Sequence, residues 1–197
     1  LSFHPKSGGI KYNPETKRLE LSNDGETWIP LGSSTNTVLL SAQYPGSVVL
    51  DGLINNTGEM TMNNTGLGNA SMNYYQWESS ESNLNDKEIN ITYQLPSDFK
   101  EWGSGGITLS FATESISALD NKVDLYVYEQ NASGYDGISE GNASTVNEKW
   151  ETTKIEGSQL NMCNEAEEVC TIQVKMSSSL SNYARVGDIQ VKYERTL

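Results

Sequence analysis

This 197-residue chain has one histidine and two cysteines, so few of its side chains could act as an imidazole base or a thiol nucleophile. His4 is the only histidine, and it lies in a stretch that we expect to be flexible, so an imidazole base has one poorly placed candidate. The 26 acidic side chains could supply a carboxylate pair for glycoside hydrolysis, but no spacing singles out one pair. The sequence therefore predicts no catalytic residue and no enzymatic activity.

Metal chemistry has one candidate segment. Two cysteines are too few for a cysteine-based zinc site, which needs about four soft or imidazole ligands. Residues 51–59, DGLINNTGE, offer oxygen ligands for calcium, although their spacing is not that of an EF-hand loop. A solvated turn is the alternative for this segment. No other metal and no cofactor is predicted.

Cys163 and Cys170 flank a short hydrophilic loop that leads into a predicted strand. At this spacing the two thiols can close the loop within disulfide reach. The alternative is a pair of free thiols in a cytosolic protein, but a free cysteine prefers burial and this loop is acidic. Because disulfides persist in oxidising compartments, the pair predicts an extracellular or cell-surface location.

Asn-x-Ser/Thr sequons are candidate glycosylation sites, with unmodified surface asparagines as the alternative. Asn90 lies on the polar face of a predicted strand, and the others lie in predicted loops. The sequons are at Asn55, Asn63, Asn69, Asn90, Asn131 and Asn142.

The charge of the chain excludes one class of partner. Its 13 basic and 26 acidic residues give a net charge of -13, which repels a phosphate backbone, so nucleic-acid binding is not expected. No apolar run approaches the roughly 18 residues that a membrane helix needs, so membrane insertion is not expected either. Acids and bases balance within residues 1–35, and the whole net charge therefore lies beyond residue 35.

The elements that carry these residues are predicted to be short strands separated by turns. Alternation of apolar and polar residues is clear at 88–95, 107–111, 122–128, 171–176 and 189–193, and a helical turn is predicted at 96–102. The pattern predicts an all-β, antiparallel, jelly-roll-like sandwich over residues 36–197. The side chains that we expect to point inward are Ile89, Ile91, Tyr93, Ile107, Leu109, Phe111, Val123, Leu125, Val127, Ile172, Val174, Ile189 and Val191.

Residues 1–35 are predicted to form an N-terminal arm. A hairpin at 9–21 and a short strand at 27–31 bury too little apolar surface to stand alone, and the turn-rich segment 32–36 links them to the sandwich. We expect the arm to dock on a neighbouring molecule through apolar residues. These residues are Leu1, Phe3, Ile10, Leu19, Leu21, Trp28 and Ile29.

Two stretches carry a resemblance to known proteins. Residues 12–28, YNPETKRLELSNDGETW, resemble a small β-element of phage tail-fibre-like and bacterial surface proteins. The motifs QYPG at 43–46, YYQW at 74–77, LPSDF at 95–99 and NYARVGDI at 182–189 resemble an uncharacterised β-sandwich domain in surface proteins of uncultured bacteria. The resemblance implies an extracellular, structural or adhesive role and carries over no catalytic residue.

Two functions are consistent with these observations. The first is a secreted structural protomer of a filament, fibre or surface layer, which lends its arm to the sheet of the next copy and so assembles head-to-tail. The second is a binding module for carbohydrates or for a receptor, either a lectin-like jelly roll or the tip of a trimeric tail fibre. Surface glycans are then the partner, and an aromatic platform would bind them, with core packing as the alternative for its residues. The candidate aromatics are Tyr74, Tyr75, Trp77, Trp102 and Trp150.

Overall fold

The computed structural model describes residues 9–15, 18–22, 25–26, 28–30, 35–42, 48–51, 58–64, 72–129 and 134–195. Within these residues the chain forms fourteen strands and a single-turn 3-10 helix, Gly157–Gln159. Among them, no helix has the length and apolar character needed to cross a membrane. The strands are β1 (Gly9–Asn13), β2 (Arg18–Ser22), β3 (Ile29–Pro30), β4 (Thr35–Leu40), β5 (Val48–Asp51), β6 (Gly58–Asn64), β7 (Asn73–Ser79), β8 (Asn85–Gln94), β9 (Phe99–Thr113), β10 (Asn121–Glu129), β11 (Gly137–Asn142), β12 (Glu151–Ile155), β13 (Val169–Ser178) and β14 (Tyr183–Arg195).

The strands build three sheets. A larger sheet has seven strands, six of them in the order β12-β9-β14-β7-β6-β5. The seventh, β4, pairs with the C-terminal part of β14, whereas β7 pairs with its N-terminal part. A smaller sheet of four strands has the order β11-β10-β13-β8 and packs on the larger one. Strands β1, β2 and β3 form an N-terminal sheet of their own. All pairs are antiparallel, so the predicted all-β, antiparallel sandwich is confirmed.

The core lies between the larger and smaller sheets and follows the alternation of the strands. Val123, Leu125 and Val127 of β10 are fully buried, and Ile172 and Val174 of the neighbouring β13 are at most 1% exposed. Burying each such side chain stabilises the fold by about 1.5–3 kcal/mol. All thirteen predicted core residues belong to this cluster, but those on β8 are only partly buried: Ile89, Ile91 and Tyr93.

The two sheets differ in width. Strand β11 contacts β12, β10 contacts β9 and β14, β13 contacts β14 and β7, and β8 contacts β7. Among the described elements, β6 and β5 continue the larger sheet beyond this last pair and have no strand of the smaller sheet in regular contact with them. Among the strands that the structure describes, the smaller sheet has β8 as its last strand while the larger sheet extends further.

The helical turn predicted at 96–102 is wrong, because Phe99 begins the fifteen-residue strand β9. This strand continues through a glycine-rich stretch by bulging. Gly105 and Gly106 have φ of 88° and 39°, and the pairing with β14 slips between Ile107 and Trp102. Glycine supplies these positive φ values without steric cost. Strand β11 was not predicted.

The division at residue 35 stays a prediction. Within the described residues, β1 to β3 pair only with one another, and the strands from Thr35 onward build the sandwich.

Candidate functional site

Three tyrosines form an aromatic cluster on the outer face of the smaller sheet. Strand β10 sends Val123, Leu125 and Val127 into the core, so the alternation turns Tyr126 and Tyr128 outward. Tyr135, just before β11, lies against both. Its ring centroid is 4.9 Å from that of Tyr126 and 5.3 Å from that of Tyr128.

In this cluster the exposed ring of Tyr135 lies against the less exposed rings of Tyr126 and Tyr128. Tyr135 is 54% exposed, whereas Tyr126 is 7% exposed. The Tyr126 hydroxyl donates to Glu140 Oε1 at 2.6 Å, and the Tyr128 hydroxyl donates to Gln173 Oε1 at 2.9 Å. These bonds fix the two underlying rings, so the platform is held in place before any ligand arrives.

The hydroxyls of the two underlying tyrosines stay protonated at physiological pH. Burial, followed by the hydrogen bond to Glu140, raises the pKa of Tyr126 far above its usual value. Burial also raises the pKa of Tyr128, with smaller contributions from Tyr135 and Glu88. Both phenols therefore remain uncharged hydrogen-bond donors.

A polar row continues from the tyrosines across the sheet. The register places Tyr126, Gln173 and Asn90 opposite one another on β10, β13 and β8. Gln173 Nε2 donates to Asn90 Oδ1 at 3.0 Å and to Glu88 Oε2 at 3.3 Å. Three neighbouring strands spaced by about 4.8 Å make this row about 10 Å long.

Ion pairs lie beside the row. Lys175 Nζ is 3.2 Å from Asp86 Oδ2 and 4.0 Å from Glu88 Oε1, and Lys122 Nζ is 3.0 Å from Asp124 Oδ2. Each lysine is thus close to a carboxylate on the same face. The arrangement joins an apolar ring surface to amide and carboxylate groups, which suits a ligand that has both an apolar face and hydroxyl groups.

The five aromatics that the sequence offered either as a platform or as core packing do not form an exposed platform, and core packing is confirmed for Trp77. Trp77 is fully buried in the core, and its Nε1 donates to Asn85 O at 2.9 Å. Trp102 packs on Phe99, with its Nε1 donating to Cys163 O at 2.7 Å. Tyr75 packs against the core from the inner face.

The other two predicted aromatics belong to a packed cluster on the outer face of the larger sheet. The rings of Tyr74 and Trp150 are 5.7 Å apart, and the Arg185 guanidinium lies 4.0 Å over Tyr183 and 5.2 Å over Tyr74. Tyr74 and Tyr183 are each 8% exposed, so this cluster offers little ring surface. The hydroxyl of Tyr183 donates to Glu148.

The predicted disulfide between Cys163 and Cys170 is confirmed, with their Cα atoms 6.1 Å apart. Both residues are at most 1% exposed and belong to the core. The bond therefore anchors the acidic loop between them to the sandwich.

The sequons differ in their surroundings. Asn90 is exposed on the polar face of β8, as predicted. Asn63 is exposed too, but it lies within β6 rather than in the predicted loop. Asn142 ends β11 rather than lying in a loop, and its Nδ2 donates to Val123 O at 2.9 Å and to Ser139 O at 3.2 Å. An amide held in this way is a poor acceptor for a glycan. The sequons at Asn55, Asn69 and Asn131 lie outside the described residues.

The candidate calcium segment is described only at its ends, at residues 51 and 58–59. In the described part of the chain, no three His, Cys, Asp or Glu residues form a group that could hold a metal ion.

The described arm residues form the N-terminal sheet, and three of them are exposed: Ile10, Leu19 and Leu21. Trp28 is half-buried beneath Lys11, whose Nζ lies 4.2 Å from its ring centroid. Ile29 belongs to β3 and pairs with Leu21. Leu1 and Phe3 lie outside the described residues, as does His4.

No family model matches the chain, and a search of curated proteins found no match to it. Its fold is similar to several solved structures at low identity. A carbohydrate-binding module of the β-sandwich superfamily is 10% identical with a TM-score of 0.45, covering 96% of this chain and 86% of its own. A second match is the family 11 carbohydrate-binding module of the cellulase Lic26A-Cel5E of Clostridium thermocellum. It is 12% identical with a TM-score of 0.37, and the match covers 83% of this chain and 95% of that module. A cyclase from Fischerella sp. TAU is 11% identical with a TM-score of 0.41, covering 81% and 90%. These likenesses concern the arrangement of strands alone.

Proposed function

We propose that this protein is a glycan-binding module whose site is the outer face of the smaller sheet. The observation that carries the proposal is the tyrosine cluster beside the polar row, on a face left open within the described residues. A sugar ring has an apolar face that stacks on an aromatic ring and a rim of hydroxyls that pair with amides and carboxylates. Tyrosine supplies such contact area at a low cost in conformational entropy.

The charge of the site favours a neutral glycan. On this face the four carboxylates Asp86, Glu88, Asp124 and Glu140 outnumber the two lysines of the ion pairs, and the whole chain carries a net charge of -13. An anionic polysaccharide would meet this field with repulsion. The row of about 10 Å fits about two sugar rings beside the tyrosines. The role is binding without catalysis.

The disulfide supports an extracellular location for this function. Structural disulfides persist in oxidising compartments, so the bond between Cys163 and Cys170 favours a location outside the cytosol. Extracellular and surface glycans are accessible there.

Titration calorimetry against a panel of neutral oligosaccharides tests this function. At least one should bind, and Tyr135→Ala should weaken its binding at least tenfold because the open stacking ring is removed. Tyr135→Phe keeps the ring and should bind nearly as well as the unaltered protein. Gln173→Ala should weaken binding because it breaks the polar row. The proposal fails if no neutral glycan binds, or if Tyr135→Ala binds as tightly as the unaltered protein.

A protomer that assembles head-to-tail is the second candidate function. One observation favours it: Ile10, Tyr12, Leu19 and Leu21 are between 44% and 58% exposed on a three-stranded sheet. So small a sheet with an uncovered apolar face needs a partner surface. Sedimentation velocity over a range of concentrations tests it, since a protomer should give species larger than one chain.

A further inference from the structure

Tyr135, the exposed ring of the proposed glycan site, lies outside the strands. Strand β11 begins only at Gly137. The ring is 54% exposed, so its own packing buries less than half of it. A ring in this situation stays against Tyr126 and Tyr128 only where the chain beside it is held. The residues that hold that chain therefore decide whether the site is ordered before a ligand arrives.

The side chain that follows this ring, that of Asp136, accepts hydrogen bonds from consecutive backbone N–H groups. Its Oδ1 accepts from Asn161 N at 2.7 Å and from Met162 N at 2.8 Å, and its Oδ2 accepts from Cys163 N at 2.9 Å. Hydrogen bonds to a carboxylate are stronger than those between neutral groups. Both carboxylate oxygens are thus used within the protein, which makes Asp136 a support for the site rather than a contact for the ligand.

The segment that Asp136 binds is fixed to the core. Cys163 is fully buried and is joined by its disulfide to Cys170 of β13. The carbonyl oxygen of Cys163 accepts a hydrogen bond from Trp102 Nε1 at 2.7 Å, and Leu160 is 3% exposed. The backbone donors therefore stand at set positions, and a carboxylate that meets all of them is held there too.

Asp136 is also tied to the smaller sheet. Its N donates to Val127 O at 2.8 Å, and the next residue, Gly137, pairs with Val127 in the ladder between β10 and β11. A Cβ on Gly137 would lie 2.5 Å from Ile155 Cγ2 and 2.9 Å from Leu160 Cδ2, so the glycine lets the chain lie directly on the core. The chain that follows Tyr135 is thus anchored through both the backbone and the side chain of Asp136.

We propose that Asp136 is a positioning residue of the glycan site: by binding residues 161–163 it holds Tyr135 against Tyr126 and Tyr128, in the arrangement that stacks on a sugar. The inference rests on the proposed glycan-binding function. Asp136 does not contact the glycan, and its contribution is that the ring is ordered in advance. Without the carboxylate, binding has to order the ring as well, and this lost freedom weakens it.

Titration calorimetry of Asp136→Ala tests the proposal, with the neutral oligosaccharide that the unaltered protein binds. The affinity should fall about fivefold, which is the effect expected when one more side chain has to be ordered on binding. Asp136→Asn keeps one of the two acceptor oxygens and should weaken binding less than Asp136→Ala does. An unchanged affinity in Asp136→Ala would overturn the proposal.

Glu168→Ala is the matched control. Glu168 Oε2 also accepts hydrogen bonds from backbone N–H groups, those of Asn164 at 2.8 Å and Glu165 at 3.0 Å, but these bonds lie within the disulfide loop rather than beside Tyr135. This variant should bind the glycan within about twofold of the unaltered protein. Equal losses in Asp136→Ala and Glu168→Ala would show that the loop as a whole supports the site, and would overturn the specific role of Asp136.

A double-mutant cycle shows whether Asp136 acts through Tyr135. In a Tyr135→Ala chain, Asp136→Ala should change the glycan affinity by less than about twofold, because the ring that Asp136 positions is gone. A further loss as large as that caused by Asp136→Ala alone would mean that Asp136 acts on the glycan by another route, and the proposal would fail.

Proton NMR separates failure of the positioning from failure of the function, because it needs no glycan. The ring centroids of Tyr135 and Tyr126 are 4.9 Å apart, close enough for a nuclear Overhauser effect (NOE) between their ring protons. This NOE should be lost in Asp136→Ala, while backbone NOEs between β10 and β13 remain and show that the variant is folded. If those backbone NOEs are lost, Asp136→Asn takes its place in every measurement.

The NMR result decides the positioning whatever the calorimetry shows. A ring NOE that persists in the folded variant would overturn the proposal, even where the glycan binds to the unaltered protein. If no neutral glycan binds to the unaltered protein, the glycan-binding function fails, and loss of the ring NOE would still support the hold of Asp136 on Tyr135.

Discussion

Glu114 is an acid whose surroundings favour its protonated form. Burial is the main cause of its raised pKa, and the charges of Glu148 and Glu78 add to it, while Arg185 opposes them. The folded protein therefore holds this proton to a higher pH than the unfolded chain does. Ionised Glu114 destabilises the fold at neutral pH, and the penalty develops as pH rises from the unfolded pKa through the folded one.

Glu114→Gln should increase the free energy of unfolding at pH 8, because the neutral amide removes this penalty. The gain should shrink toward pH 4, where the carboxyl of the unaltered protein is protonated in the folded state. Urea unfolding of both proteins at the two pH values measures the difference. A loss of stability at pH 8 would contradict the expectation.

Glu151→Gln should change the free energy of unfolding in the opposite direction to Glu114→Gln. Hydrogen bonding from the Thr145 side chain is the largest cause of the lowered pKa of Glu151, and Lys149 lowers it further. A lowered pKa contributes stability above the unfolded pKa that is lost as pH falls. This variant should therefore be less stable than the unaltered protein at pH 8 and approach it at low pH in the same urea series.

The candidate site was only partly predictable at the level of residues. Period-two alternation correctly assigned Val123, Leu125 and Val127 to the core. The same rule places Tyr126 and Tyr128 on the outer face, which is the signal that would have found them. Tyr135 gave no such signal, because it precedes β11 and reaches the other tyrosines only through the hairpin between β10 and β11. Whether Tyr135 contacts the tyrosines of β10 depends on the path of the chain between β10 and β11, and the alternation of residues does not predict that path.

Substitutions at Gly106 and Gly141 distinguish two costs of adding a side chain, backbone strain and steric clash. Both have positive φ, of 39° and 70°. A Cβ at Gly106 would clash with Ile155 O and lie 2.7 Å from Gly157 N, while none of the described atoms lies within 4 Å of one at Gly141. Gly141→Ala should cost about 1–2 kcal/mol from the left-handed conformation alone.

Gly106→Ala should cost more than Gly141→Ala, by at least about 1 kcal/mol, because backbone must shift to admit the methyl group. Thermal or urea unfolding measures both. Equal losses would mean that the bulge in β9 relaxes freely around the added atom.

The disulfide acts on the element that it closes. Replacing Cys163 and Cys170 with Ala should lower the free energy of unfolding by roughly 2–3 kcal/mol, because the unfolded chain regains the freedom of the short loop. Unfolding under non-reducing conditions measures the loss. With a reductant present, the unfolded chains of both proteins lack the disulfide, so their free energies of unfolding should become equal. A difference that persists would indicate that packing of the buried sulfur atoms is the cause instead.

Strands were predictable from the sequence where polar and apolar residues alternate without interruption. The segment 122–128 predicted β10 within a residue at each end. Only 107–111 of the longer β9 was predicted, because the glycines before Ile107 indicate a turn and pairing with β14 overrides that preference. Strand β11, GISEGN, has too few apolar residues to alternate and is held by its pairing with β10.

Salt should affect the two proposed activities differently across the whole molecule. Each copy carries a net charge of -13, and the Debye length falls from about 10 Å at 0.1 M to about 3 Å at 1 M salt. Screening should therefore strengthen self-association by several-fold while leaving the binding of a neutral glycan nearly unchanged. Sedimentation equilibrium and calorimetry at low and high NaCl measure the two effects. Self-association that weakens with salt would show that ion pairs hold the copies together.

Strand β14 also sets the order in which the molecule can be completed during synthesis. It pairs with β4, β7 and β9, which all precede it in the chain, and its Glu194 lies opposite Thr35. Those three strands leave the ribosome well before the strand that joins them, so the larger sheet cannot close until β14 has emerged. Sheets built from such distant pairings fold slowly, in milliseconds to seconds. The nascent chain would therefore keep β4, β7 and β9 without their shared partner until β14 is made.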